Sequence, residues 1–321
     1  MFVMKDIQFK RPQLEDRDLI ESYFRQQPSR SCERTFVNAY LWSRFYQVSY
    51  AIVNDTLVFH SGAGKAFSFP AGESARVKET IPLLKEYAAE RGHSFQLYNV
   101  TPEFFAQLEE WFPNQYEITY ERDYADYVYE TEKLATLSGK KLHAKRNHIN
   151  KFRATYPDWS YETMTHENLE ECFQMALKWR NENGCEDDEE KNSEMCVTLN
   201  SLRLFEELGL TGGILRIGGK IVAFTIGEAL SPDTFVVHIE KAFGDIQGAY
   251  PMINQQFVQH ACMDYKYVNR EDDTGAEGLR KAKLSYYPAF LVEKGIVKEK
   301  NDDSKQDAEY GGEQFCDSRH V

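Results

Sequence analysis

His238 and Glu240 stand two residues apart on an apolar run from Thr234 to Ala242. In a strand that spacing puts both on one face. There a carboxylate can take a proton from an attacking amine or bind its ammonium; an ion pair at a strand end is the plain alternative. Further on, Glu271, Asp272 and Asp273 are three acids in a row. They can hold an amino group, and crowding would raise one pKa. Asp273-Thr274-Gly275 also reads as an Asx-type turn before a helix. Arg280 on that helix can grip a phosphate or carboxylate with its fork, or pair with Glu277. Between strand and next helix lies Gln247-Gly248-Ala249-Tyr250, with Pro251 just inside the helix, where proline suits a first turn. A helix start offers free N–H groups and a positive dipole end to phosphate; a capped tight turn has the same spacing.

A second chemistry-bearing stretch runs from Ser138 to Arg153. It holds Lys140, Lys141, Lys145, Arg146, Lys151 and Arg153 and no acid, with Leu142, Ile149 and Phe152 as an apolar stripe. This predicts a basic amphipathic helix, fit to follow nucleic-acid phosphates or to serve as a solvated linker. His143 and His148 form no metal motif. The cysteines, Cys32, Cys172, Cys185, Cys196, Cys262 and Cys316, show no CxxC pair or Cys/His metal spacing, so reduced core thiols and no metal are expected. No Ser/His/Asp or Cys/His nucleophile arrangement stands out.

The elements that must position these residues alternate along the chain. In the first half, Gln8 to Lys10 reads as a short strand and Leu14 to Gln27 as a helix with Leu19, Ile20 and Phe24 inward. Arg34 to Tyr46 reads as helical. Val48 to Val53 and Thr56 to Phe59 flank Asn54-Asp55, a hairpin signal. A helix lies within Arg76 to Arg91, its start drawn toward Thr80 by Pro82. Ser94 to Val100 is a strand, and Thr101 caps a helix to Trp111. Tyr116 to Tyr129 is extended. In the second half, Ser160 to Met164 is a strand, Glu167 to Asn183 a helix, and Ser193 caps another to Leu208. Gly218-Gly219 joins a hairpin, Thr234 to Ala242 follows, and a helix of about fifteen residues carries Ile253, Phe257 and Ala261. Lys266 to Arg270 and Ala289 to Val297 are strands around a helix, Ala276 to Tyr286. The order β-α-α-β-β-β-α-β-α-β is nearly matched in the first half, which points to an internal duplication. Tyr156-Pro157-Asp158 marks the boundary, giving domains at 1–155 and 156–300. Residues 301–321 are acidic and poor in apolar residues, and a mobile tail is expected there.

The chain has 321 residues, 38 Lys+Arg against 51 Asp+Glu, and a net charge of -13. That balance argues against diffuse duplex binding and leaves a local basic groove open. No apolar run approaches the roughly 20 residues of a membrane helix, and Met1 to Lys10 shows no signal peptide. A cytoplasmic protein is expected.

The element order resembles the GNAT acyltransferase fold, duplicated. The run from Asn269 through Arg270-Glu271-Asp272-Asp273-Thr274-Gly275 to Tyr286-Tyr287-Pro288 is similar to one typical of the lysylphosphatidylglycerol synthase C-terminal-like family. So are Ser31 to Trp42 and Lys141 to Phe152. Full-length members carry a membrane domain and move an aminoacyl group from tRNA to a lipid. The resemblance implies an α/β (α+β) fold of two tandem GNAT-like domains, each a mixed, mostly antiparallel sheet flanked by helices. It implies a fourth strand that splays from the fifth, so that an acyl donor lies along Val237, His238 and Ile239 with its phosphate near Gln247, Gly248, Ala249 and Tyr250. Strand N–H groups would then stabilise an oxyanion. Tyr286 and Tyr287 fall where such enzymes place a tyrosine general acid, and core packing remains open for either. Glu240 is the candidate catalytic carboxylate; Glu271, Asp272 and Arg280 are the candidate acceptor-binding residues. The first half, with only Gly72 near its corresponding loop, is expected to be structural or to shape the acceptor cleft. The leading expectation is an acyltransferase taking acyl-CoA to an amine or hydroxyl on a small molecule or peptide. Aminoacyl transfer from charged tRNA, held by Lys140, Lys141, Lys145, Arg146 and Lys151, is the alternative. A non-catalytic nucleotide- or peptide-binding module is the third.

Overall fold

A computed structural model describes residues 7–62, 65–185 and 188–300. The acidic tail at 301–321, part of the run Glu186 to Glu190, and the first six residues lie outside the described residues. Among the described residues thirteen strands follow in chain order: β1 Ser49–Val53, β2 Thr56–Ser61, β3 Ala66–Ser68, β4 Gln96–Val100, β5 Tyr116–Tyr120, β6 Asp126–Glu130, β7 Trp159–Thr163, β8 Thr211–Ile217, β9 Lys220–Ser231, β10 Thr234–Ala242, β11 Tyr267–Asn269, β12 Phe290–Val292 and β13 Gly295–Glu299. The helices are α1 Arg17–Gln26, α2 Phe36–Trp42, α3 Ser74–Glu90, α4 Pro102–Trp111, α5 Thr131–Thr136, α6 His143–Thr155, α7 Leu169–Glu182, α8 Glu189–Arg203, α9 Ala249–Phe257 and α10 Glu277–Leu284.

The strands form two mixed sheets, ordered β1-β2-β3-β4-β13-β5 and β12-β6-β11-β10-β9-β8-β7. Each has one parallel pair, β3 with β4 and β10 with β11, and is otherwise antiparallel. The α/β class, with two mixed, mostly antiparallel sheets flanked by helices, is as expected. A cut at 155/156 separates the sheets except for one exchanged strand each. β6 enters the second sheet between β11 and β12, and β13 enters the first between β4 and β5. In both sheets the visiting strand lies next to the parallel pair, so the pairing order repeats.

Local chemistry explains most elements. Asn54 and Asp55 both take positive φ, 48° and 60°, which a two-residue turn between twisted strands requires. α6 buries Leu142 at its N-cap and Ile149 and Phe152 on one face, as its apolar stripe predicts.

Several details differ from expectation. Pro82 lies inside α3; it sits on the exposed face, where solvent is available to the carbonyl it leaves unpaired. On α1, Leu19 faces out and Tyr23 joins Ile20 and Phe24 in the core. Asp188, not Ser193, caps α8, accepting from the Lys191 N–H. Lys10 makes an isolated bridge to Tyr50 in place of a strand. Residues 289–297 split into β12 and β13 because the chain changes sheets there.

One apolar core lies under the first sheet with α3 and α4, through residues such as Ile81, Leu97 and Leu108. The other fills the second sheet and takes in α1 and α2 through Ile20, Phe36 and Leu41. The first half therefore helps to build the second core.

Candidate active site

β10 and β11 pair only from Thr234–Tyr267 to Val236–Asn269. β10 then runs six residues further while β11 ends, so among the described residues no strand covers that edge of Val237 to Ala242. This is the splay a donor would use. On its other edge β10 carries a bulge: Val237 faces Gly227, Ile239 faces Ile226, and His238 is the extra residue. Gly227 is needed there, because a Cβ would meet the Val236 carbonyl oxygen at 2.1 Å.

The bulge corrects the expectation that His238 and Glu240 share a face. Val236 pairs with Glu228 and Glu240 with Thr225, three residues apart on β9 and so on opposite faces. The extra residue inverts the alternation, and the two side chains join different networks.

On one side, Glu240 accepts from Arg270 Nη2 at 2.8 Å and from Asn254 Nδ2 of α9 at 3.0 Å. The Arg270 guanidinium lies 4.9 Å from the centroid of Tyr286 and 5.8 Å from that of Tyr129. Lys145 of α6 approaches the Tyr286 centroid at 4.1 Å, and Lys141 that of Tyr287 at 5.3 Å. Tyr286 is buried and Tyr287 exposed with φ 56°. Burial raises the Tyr286 hydroxyl pKa against the opposing charge of Arg270, so Tyr286 stays protonated at neutral pH and can donate.

On the other side, His238 is held between Glu228 at 2.9 Å from Nε2 and Glu271 at 2.7 Å from Nδ1. Burial opposes its charge, but the two carboxylates outweigh it and lift the imidazolium to about 10. His238 is thus a fixed cation at neutral pH. Glu271 also accepts from Asn38 of α2 at 3.0 Å. Behind it, Lys294 is buried among Asp126 at 2.8 Å, Glu33 at 2.6 Å and Asp272 at 3.8 Å. Burial lifts Asp272 to about 7 against the opposing charge of Lys294, with the charges of Asp126, Glu33 and Glu271 adding to the rise. Ligand atoms of Cys32, Glu33 and Asp126 come within 4.8 Å of one another, close enough for a metal ion. Lys294 already supplies the cation. Burial and Asp126 also push the Cys32 thiol far up.

The remaining candidates separate. Arg280 binds Asp273 at 2.6 Å and Asp123 at 2.6 Å, not Glu277, and so stands apart from Glu271 and Asp272. Gly248 starts α9 with φ 89°, and a Cβ there would meet the His148 carbonyl oxygen of α6 at 2.8 Å. α6 thus lies across the turn expected to hold phosphate. Gln247 and Tyr250 are exposed beside it, Ala249 is buried, and Val237 and Ile239 point into the core. Of the basic-helix cations, Lys140, Lys141 and Lys151 are exposed, while Arg146 donates to the carbonyls of Leu137 and Gly139. Arg270, Asn254, Asp126 and Lys294 are site residues that no sequence motif marks. Their partners are far away in the chain; only the dense charge between 269 and 283 hints at Arg270.

Among the described residues no helix is long and apolar enough to cross a membrane. The family described as phosphatidylglycerol lysyltransferase, C-terminal, matches residues 24–297. An uncharacterized protein of Mycoplasmoides gallisepticum is 30% identical over 195 residues; the match takes in 59% of this chain and only 61% of that relative. A solved protein of unknown function from Bacteroides thetaiotaomicron is 42% identical, with TM-score 0.85 over 92% of this chain and 100% of that one. L-PGS from Bacillus licheniformis is 15% identical, with TM-score 0.62 over 94% and 96%. The C-terminal domain of a putative lysylphosphatidylglycerol synthetase from Agrobacterium fabrum is 13% identical, also at 0.62, over 88% and 91%. These last two similarities show a shared fold.

Proposed function

The chain belongs to the phosphatidylglycerol lysyltransferase C-terminal family, and on that premise we propose that it transfers an aminoacyl group from charged tRNA to an amine or hydroxyl acceptor. The observation that carries the choice of donor is the place of α6. Its Lys145, and Lys141 just before its start, lie against Tyr286 and Tyr287, so the basic segment borders the splay that would receive the reacting ester. The first turn of α9, which acyl-CoA would use for its pyrophosphate, faces a backbone carbonyl of α6 instead.

In this reading the ester carbonyl lies along the open edge of β10 and is attacked directly. Tyr286, protonated at neutral pH, donates to the departing ribose oxygen. Glu240 orients Arg270. His238, already a cation, holds Glu271 in place. The acceptor enters over Glu271 and Asp272, and Asp272, titrating near neutrality, takes its proton.

The test is a binding and transfer assay on the purified chain with charged tRNA and with acetyl-CoA. Charged tRNA should bind with affinity falling steeply in salt, by a log-log slope of several units, and should donate its aminoacyl group. Binding of acetyl-CoA with weak salt dependence, and no binding of tRNA, would favour the acyl-CoA reading that the Gln247-Gly248-Ala249 turn supports. Binding without turnover, with Glu240→Gln changing affinity alone, would leave a non-catalytic module.

A further inference from the structure

Two cations press on one ring: Lys145 Nζ and the Arg270 guanidinium both stand against Tyr286. One carboxylate, Glu240, answers Arg270. Lys145 has no carboxylate partner among the described residues. Burial, and then the charge of Arg270, hold its ammonium below the usual lysine range. The cluster therefore carries net positive charge in a half-buried place. It also has unfilled hydrogen bonds. The Arg270 guanidinium also meets the Tyr286 hydroxyl, yet among the described residues Arg270 Nη1 is buried with no partner, and so is Oδ1 of Asn254, which is 1% exposed. Both groups bracket the same Glu240 carboxylate. A buried polar atom left unpaired is unfavourable, so a ligand group that fills both positions gains by doing so.

We propose that Arg270 Nη1 and Lys145, set against Tyr286 and beside Asn254, form a subsite for a ribose phosphate. The phosphate accepts from Arg270 and Lys145, the pairing that charge-assisted hydrogen bonds favour. Asn254 Oδ1 accepts from a sugar hydroxyl next to it. Exposed Lys140 and Lys141 extend the positive track from the subsite to solvent. The subsite stands on charge and geometry alone; its assignment to the donor rests on the transferase reading. Both tRNA and CoA carry a ribose phosphate, so the chemistry is shared and the source is separable.

The experiment titrates the whole chain with adenosine monophosphate and with inorganic phosphate at fixed ionic strength set with chloride, followed by calorimetry and thermal shift. Saturable binding is expected, tighter for the nucleotide. Lys145→Gln should weaken it at least fivefold and Arg270→Lys more, while Lys220→Ala, exposed at the start of β9, should leave it unchanged. Lys145 has no structural carboxylate partner, so its variant keeps the test valid if Arg270 variants fail to fold. Equal effects of phosphate and chloride, or wild-type affinity in Lys145→Gln, would overturn the subsite. Competition then separates the sources. Displacement of the nucleotide by an acceptor-stem RNA ending in CCA assigns the subsite to tRNA, displacement by CoA assigns it to CoA, and displacement by neither overturns its assignment to the donor. Nucleotide binding that Lys145→Gln removes, in a protein that transfers nothing, would leave the subsite standing and the transferase reading refuted.

Discussion

Replacing Lys294 with methionine should cost more stability than any other single change of similar volume in this protein. Lys294 is 1% exposed and sits where the chain leaves β12 for β13. Its ammonium meets Asp126 at 2.8 Å and Glu33 at 2.6 Å. Burial opposes the charge, yet the acids hold its pKa well above the usual lysine value. Asp126 is fully buried and would keep three donors, the Cys32 N–H at 2.8 Å, Asn269 at 2.9 Å and the Cys32 thiol at 3.3 Å. It would lose its cation. A buried carboxylate stripped of its partner costs about 3–5 kcal/mol. Methionine nearly preserves the stem's length, so the cavity contribution is small and the loss is electrostatic. Equilibrium urea unfolding should show that fall with little change in slope. The double variant Lys294→Met/Asp126→Asn should recover part of it, because neither charge is then stranded. A single-variant loss under about 1 kcal/mol, or a double variant worse than the sum of the singles, would refute this account of the junction.

Asp272 makes stability depend on pH. Its folded pKa, about 7, lies above its ordinary value of 3.8, so its contribution is full below about pH 4 and is lost as pH rises through 7. Asp272→Asn should match wild type near pH 4 and exceed it at pH 8 by roughly 1–3 kcal/mol; urea titrations with equal stability at both pH values would contradict this. Gly248→Ala forces a left-handed φ of 89° on a side chain whose Cβ meets the His148 carbonyl oxygen at 2.8 Å. A loss of about 1–3 kcal/mol in urea is expected, and a change under 0.5 kcal/mol would show that α6 yields there. Tyr286→Phe should lower transfer about 10²-fold or more in kcat with little change in stability; an unchanged kcat would remove Tyr286 from the chemistry.

Much of the fold was legible because its signals are local. Asn54-Asp55 marks a turn by its own backbone preferences, and Leu142, Ile149 and Phe152 mark the buried face of α6 by spacing. The site was less legible because its contacts are distant. Lys294 reaches Asp126 across 168 residues, and Arg270 reaches Glu240 across 30. The period-two rule failed at His238, since a one-residue bulge reverses every side chain beyond it. The exchanged strands were hidden for a related reason. β6 and β13 have ordinary strand sequences, and nothing in five residues says which sheet will take them.

The exchange also sets a timetable for folding during synthesis. β5 ends at Tyr120 and β13, which fills the slot between β4 and β5, begins at Gly295. At about 5–20 residues per second, that interval lasts roughly 10–35 s. Throughout it β4 and β5 show unpaired edges of the kind that invite pairing with a foreign strand. A nascent first half therefore waits, incomplete, for the second half to be made.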